Sequence, residues 1–249
     1  MIHLKSRQEI EILRESNLIV HEVLTKLKSM CQPGITTLEL DRVAEDMTLK
    51  YRGRPAFKGY HGFPATLCTS INEEVVHGIP SKRVLREGDI LSIDYGICYR
   101  DYYGDAAVTV PIGKISEDLE FLLKTTQECL MLGIQQAVPG NHLADISAAI
   151  QTHAEIQGFS LVKEFSGHGV GRSLHEEPVV LNYVANGRGI QLKPGLVLAI
   201  EPMVNQGADK VFVLKDGWTV VTKDKKCSAH FEHSVAITDD GPLILSLPE

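Results

Sequence analysis

The sequence predicts an α+β fold built from two related halves. Three observations predict it. First, the chain repeats itself: Leu85-Arg-Glu-Gly-Asp-Ile-Leu-Ser-Ile-Asp94 aligns with Leu192-Lys-Pro-Gly-Leu-Val-Leu-Ala-Ile-Glu201, and Leu, Gly, Leu, Ile and the terminal acid all coincide. Second, Pro-Gly pairs at 33–34 and 139–140 break helical patterns at almost the same spacing. Third, the arm after Asp105 (Val108, Val110) resembles the arm after Glu232 (Val235, Ile237). We read an internal duplication packed about a pseudo-two-fold axis, with halves of about 1–112 and 113–249 forming a single domain over residues 1–249.

Each element has its own justification. From Ser6 to Met30, the apolar residues Ile10, Leu13, Leu18, Ile19, Val23 and Leu27 recur at helical spacing among charges. Pro33-Gly34 ends that helix, and Thr37 is placed to cap the next, with Leu38, Leu40, Val43, Ala44 and Met47 inward. Residues 52–64 are punctuated by Gly and Pro and carry three aromatics, which predicts a loop. A strand through Leu67 follows, then Ser70 to Pro80. Asp89 to Ile97 and Asp105 to Val110 form the arms of a β-hairpin. Ser116 to Gln136 is helical again until Pro139-Gly140, and a last helix runs from Leu143 to Ile156.

Composition excludes several classes. Hydrophobic content of 43% with 23% charged residues describes a globular, soluble chain. A net charge of −7 argues against a nucleic-acid partner, which needs a basic face; Lys223-Asp-Lys-Lys226 is too short to supply one. No apolar run reaches the length of a membrane span, and the N-terminus has no signal-peptide core. Five cysteines without a Cys-x-x-Cys pair predict free thiols in a reducing cytoplasm.

The chemistry starts in the hairpin. A loop centred on Tyr99 and Arg100 sets Asp94 directly opposite Asp105, where like charges are destabilising. Two carboxylates inside apolar strands require a cation or a shared proton. The duplication brings Glu201 and Glu232 to the same cleft. Between them lies Phe165-Ser-Gly-His-Gly-Val-Gly171, whose glycines let the backbone approach closely and aim His168. Four acids with one imidazole suit hard or borderline divalent ions such as Mn, Fe, Co or Zn. His175-Glu176 is not a zincin helix, because position 179 is Val.

Seven ordered motifs carry a family resemblance: Asn72-Glu-Glu-Val-Val-His-Gly-Ile-Pro80, Asp94-Tyr-Gly, Gly104-Asp105, Gly167-His-Gly-Val-Gly171, His175-Glu-Glu-Pro178, Ile200-Glu-Pro-Met203 and Phe231-Glu-His233. Over essentially its whole length the chain resembles the bacterial type I methionine aminopeptidases. The resemblance implies the pita-bread fold, with a central antiparallel sheet covered by helices, and two divalent ions (Co, Mn, Fe or Zn). Asp105 and Glu232 would bridge them, with Asp94 specific to one ion and His168 with Glu201 to the other. It implies Glu201 as proton shuttle, His77 and His175 at the substrate, and Phe57, Tyr60, Phe63, Cys68, Leu174 and Trp218 around the methionine side chain. The implied reaction is co-translational removal of methionine from nascent chains with a small second residue. A cytoplasmic monomer is expected, and docking on the ribosome near the exit tunnel stays open. Leu174 stands where an aromatic is common, and His230 where a glutamine is common. Two rivals remain: a proline-directed aminopeptidase of the same fold, and a pita-bread binding protein without catalysis.

Overall fold

The computed structural model describes residues 2–248. Helix α1 (Arg7–Met30) starts at a reciprocal cap: Ser6 Oγ accepts the Glu9 N–H, and the Glu9 carboxylate accepts the Ser6 N–H. Helix α2 (Thr37–Lys50) begins the same way, but its cap is Thr36 and not Thr37. The reason is the Thr36-x-x-Glu39 spacing, which satisfies two orphan N–H groups at once. Thr37 lies inside the first turn, where its hydroxyl bonds the Ser81 backbone.

Strands then follow in the first half: β1 (Arg54–Pro55), β2 (Leu67–Ile71), β3 (Glu74–Val76), β4 (Ile90–Tyr99) and β5 (Tyr102–Pro111). Strand β1 and a short 3-10 turn at Tyr60–Gly62 give structure to the segment expected to be loop. Strand β4 lies between β1 and β2 on one side and β5 on the other, all antiparallel. Helices α1 and α2 cover this sheet through Val20, Val23, Leu27, Leu40 and Ala44, packed on Leu91, Ile93 and Tyr95. Asp41 on α2 anchors the start of β2 by accepting the Thr66 and Leu67 N–H groups, both at 2.9 Å.

The hairpin register differs from the sequence expectation. Asp94 pairs with Ala107 and Asp105 with Gly96, so the acids are not directly opposed. The turn is Arg100-Asp101, both left-handed with φ of 51° and 64°, which is the two-residue turn whose twist matches the strands. Moving the turn one residue along shifts every pair by two. The acids stay on one face as diagonal neighbours, a spacing of about 7–8 Å. Gly104 lets α1 lie close on this hairpin, since a Cβ there would come within 2.7 Å of the Ser16 backbone.

The second half repeats the order of helices before strands. Helix α3 (Glu117–Gln135) is capped by Ser116, and α4 (Leu143–Ile156) packs against it. The strands are β6 (Ser160–Leu161), β7 (Gly167–Gly169), β8 (Glu176–Val180), β9 (Val197–Ile200), β10 (Met203–Asn205), β11 (Val211–Val213), β12 (Val220–Thr222), β13 (Ser228–His230), β14 (His233–Thr238) and β15 (Gly241–Ile244). The main sheet has the order β15-β14-β9-β7-β8; two smaller sheets run β13-β10-β6 and β11-β12-β3. The halves are stitched along β5: Glu232 N–H donates to Ala107 O at 2.9 Å and Ser234 Oγ to Asp105 O at 2.8 Å. Among the described residues no helix is long and apolar enough to cross a membrane.

Candidate active site

The predicted ligands arrive on strands or at strand ends. Asp94 sits in mid-β4, opposite Cys68 on β2. Asp105 lies on β5 with its N–H donating to Asn17 Oδ1 on α1, so a buried helix residue fixes its backbone. Glu201 directly follows β9, and Glu232 directly precedes β14. His168 is the central residue of β7, and its two glycines are required by space. A Cβ at 167 would lie 2.3 Å from Ala199 O, and one at 169 would lie 2.4 Å from Glu177 O. Side chains on both neighbours of His168 are therefore excluded by the strands that flank it.

These groups converge. Asp105, His168 and Glu232 each offer a ligand atom within 4.8 Å of the others. His168 Nε2 lies 3.6 Å from Glu201 Oε1 and 3.9 Å from Asp105 Oδ2. His168 Nδ1 donates to Gly169 O at 2.9 Å, which fixes the ring proton there and turns the Nε2 lone pair to the cluster. Asp94 Oδ1, Asp105 Oδ1 and Glu232 Oε1 are buried and have no hydrogen-bond partner. Buried carboxylate oxygens are rarely left so, and this set of unsatisfied oxygens around one imidazole is what a cation centre requires. Burial, with Glu201 adding to it and His230 opposing, raises Asp94 to about 7. Burial and the neighbouring acids push Asp105 and Glu232 well above the usual carboxylate range. Their joint ionisation needs compensating positive charge.

Two further histidines face the same space. His175 precedes β8, in a turn braced by Glu176, which accepts from Ser173 N–H and pairs with the buried Lys5 at 2.5 Å. Its ring stands edge-on to His168 with centroids 4.3 Å apart, and its Nδ1 is 2.7 Å from the Tyr60 hydroxyl. Burial lowers His175 to about 4, with His168 adding to the effect, so the ring is neutral near pH 7. His77 follows β3 in a left-handed conformation, φ 61°, against the edges of Phe165 and Trp218. Burial lowers its pKa as well.

One cavity of about 380 Å³ joins these groups. The candidate ligands Asp94, Asp105, His168, Glu201 and Glu232 line it with His77 and His175, beside an apolar side made by Phe57, Tyr60, Phe63, Cys68, Leu174 and Trp218. The sequence reading missed His61, Val76, Glu164, Phe165, Ser166 and Met203, which also line it. Val76, Phe165, Ser166 and Met203 stood inside the quoted stretches, and their position there was the available signal. His230 stands outside the cavity lining, with Nε2 3.4 Å from Glu201 Oε2.

The model of metallopeptidase family M24 matches residues 11–239. The chain belongs to metallopeptidase family M24. Methionine aminopeptidases of Clostridium perfringens and Bacillus subtilis are each 51% identical to it, over 247 and 246 residues, covering 99% of this chain and of each relative. The crystal structure of methionine aminopeptidase from Thermotoga maritima is 43% identical with a TM-score of 0.97, and each chain covers 100% of the other. The one from Rickettsia prowazekii is 37% identical, also at 0.97, covering 99% of this chain and 100% of its own. The Pyrococcus furiosus prolidase, 24% identical with a TM-score of 0.77, shares the fold; this chain covers 66% of it. The M24 architecture is the pita-bread fold that the resemblance implied. M24 membership makes the protein a metallopeptidase that uses divalent metal, and the cluster at Asp105, His168 and Glu232 is where this chain can hold it.

Proposed function

We propose that this M24 enzyme is a methionine aminopeptidase that removes the N-terminal methionine of newly made chains, using two divalent ions. The observation that carries the reading is the set of buried, unsatisfied acid oxygens beside His168, at one side of a cavity whose other side is apolar. Asp94, Asp105, Glu201 and Glu232 carry four negative charges when ionised, which two divalent ions balance, while neutral His168 adds a ligand without disturbing that balance. Asp105 and Glu232 would serve both ions, Asp94 one, and His168 with Glu201 the other. Bound ions supply Lewis acidity, acidifying water and polarising a carbonyl.

The chain's own groups do the rest. Glu201 takes a proton from the attacking water and passes it to the leaving amine. With the Tyr60 hydroxyl donating to His175 Nδ1, His175 carries its proton on Nε2 and donates it to the scissile carbonyl as negative charge builds there. His77 positions either the departing peptide nitrogen or the oxyanion. The walls at Phe57, Phe63, Cys68, Leu174 and Trp218 receive an unbranched thioether, and the likeness to methionine aminopeptidases supports a small second residue beside it. Free thiols at all five cysteines fit a reducing cytoplasm.

Release of methionine from Met-Ala-Ser, with and without a chelator, tests this reading. Chelator-sensitive methionine release is expected. Cleavage confined to Xaa-Pro peptides would place the enzyme with the prolidases, and no turnover with bound metal would make it a binding protein.

A further inference from the structure

We infer that His230 is a positioning residue for Glu201, holding one carboxylate oxygen so that the other is presented to the ion. The inference rests on the functional reading above. The two oxygens of Glu201 face two different imidazoles: Oε1 lies 3.6 Å from His168 Nε2, and Oε2 lies 3.4 Å from His230 Nε2. His168 is at the cavity wall, while His230 is 1% exposed and stands behind the carboxylate. His230 Nε2 is buried and makes no hydrogen bond, and Glu201 Oε2 is the carboxylate oxygen that lies 3.4 Å from it. A small rotation of either side chain closes 3.4 Å to hydrogen-bond length.

The backbone under both residues is fixed, which is what a positioning role needs. His230 N–H donates to Thr109 Oγ1 at 2.9 Å, and the Thr109 hydroxyl donates to His230 O at 2.8 Å. Thr109 Oγ1 also lies 2.8 Å from the Ser92 hydroxyl, so β4 and β5 together hold the end of β13. His230 pairs with Met203 across β13 and β10, two residues beyond Glu201. On the other side, Asn182 Nδ2 donates to Glu201 O at 3.0 Å. The ring and the carboxylate thus project from strand ends that cannot shift relative to each other without breaking buried hydrogen bonds.

Hydrogen-bond partners of ligating groups set affinity by about 10- to 100-fold when removed. Calorimetric titration of the chelator-stripped protein with Co(II) tests the role in His230→Ala, His230→Leu and His230→Gln, with circular dichroism to confirm folding. Leu keeps volume without a donor, so it stands in if the Ala cavity unfolds the protein. In both donorless variants one of the two sites is expected to weaken about 10- to 100-fold. In His230→Gln the amide N–H can reach Oε2, and affinity should return to within about threefold of the parent, a rescue that loss of packing alone would not show. In a Glu201→Gln background the His230→Leu change should cost nothing further, because it acts through that carboxylate. Unchanged affinity in His230→Ala and His230→Leu overturns the inference. So does full additivity with Glu201→Gln, which would make His230 a ligand in its own right. If the parent protein takes up no Co(II) at all, it is the functional reading that fails, and this inference falls with it.

Discussion

The two cleft histidines outside the ligand cluster separate binding from chemistry. His77 and His175 line the cavity without belonging to the five-ligand set, so His77→Ala and His175→Ala should bind metal at parental affinity and lose turnover. If each contact strengthens in the transition state by about 2–4 kcal/mol, the loss in kcat is roughly 30- to 1000-fold. Loss of metal in either variant would show the ligand set to be wrong. Within that set, His168→Ala should still bind one ion stoichiometrically, whereas Asp105→Ala should weaken both sites; two intact sites in Asp105→Ala, by calorimetry, would refute bridging. The acids also carry a pH signature. Asp94 is raised to about 7, and burial and the neighbouring acids hold Asp105 and Glu232 well above the usual carboxylate range. A raised acid stabilises the metal-free fold at low pH, fully so below its unfolded value of about 4, and that stability is lost as pH climbs through the folded value. Ions must displace those protons, so they bind better as pH rises. The gap in Tm between metal-loaded and chelator-stripped protein should therefore widen from about pH 5 to about pH 8; a gap that narrows contradicts it.

Strands and turns were legible to different degrees. The acidic hairpin could be recognised because apolar runs flank two acids, yet its register could not, since nothing in the pattern outside the turn says which two residues form it. Arg100-Asp101 takes a left-handed turn that neither residue's type demands, and that choice moved Asp94 from facing Asp105 to facing Ala107. The cap was misplaced by one residue, at Thr37, although Glu39 three residues after Thr36 was the available signal; Thr36→Ala should cost about 1 kcal/mol in denaturant unfolding. The glycines beside His168 were read correctly as permitting close approach; the structure adds what approaches, the carbonyls of Ala199 and Glu177. Gly169→Ala should destabilise the fold by about 1–3 kcal/mol, because backbone on the facing strand must move. It should also weaken ion binding by displacing His168. A variant with parental Tm and metal affinity would show the strands to be more yielding than their spacing implies.

At the scale of the molecule, the repeat was legible because both copies keep a Gly and a terminal acid at matching places, and those acids became Asp94 and Glu201 in one cleft. The part played by His230 was not legible, because strand adjacency across about 30 residues of intervening chain leaves no local pattern. The family resemblance, together with the aromatic segment 57–63, predicts selectivity: peptides with Gly, Ala or Ser after methionine should be cleaved faster than Met-Leu peptides. Equal rates on Met-Ala and Met-Leu, or faster release of leucine than methionine, would contradict the assignment of Phe57, Phe63 and Trp218 to the methionine pocket.

Strand β5 touches more than its own sheet. Its backbone accepts hydrogen bonds from Glu232 and Ser234 while its side chain at 105 enters the cluster. On the proposed ligand set, Asp94 and Asp105 come from strands that precede α3, and His168, Glu201 and Glu232 from strands or strand ends that follow α4. Neither side of that divide then holds enough ligands for two ions, so a fragment cut between them should be metal-poor however well it folds.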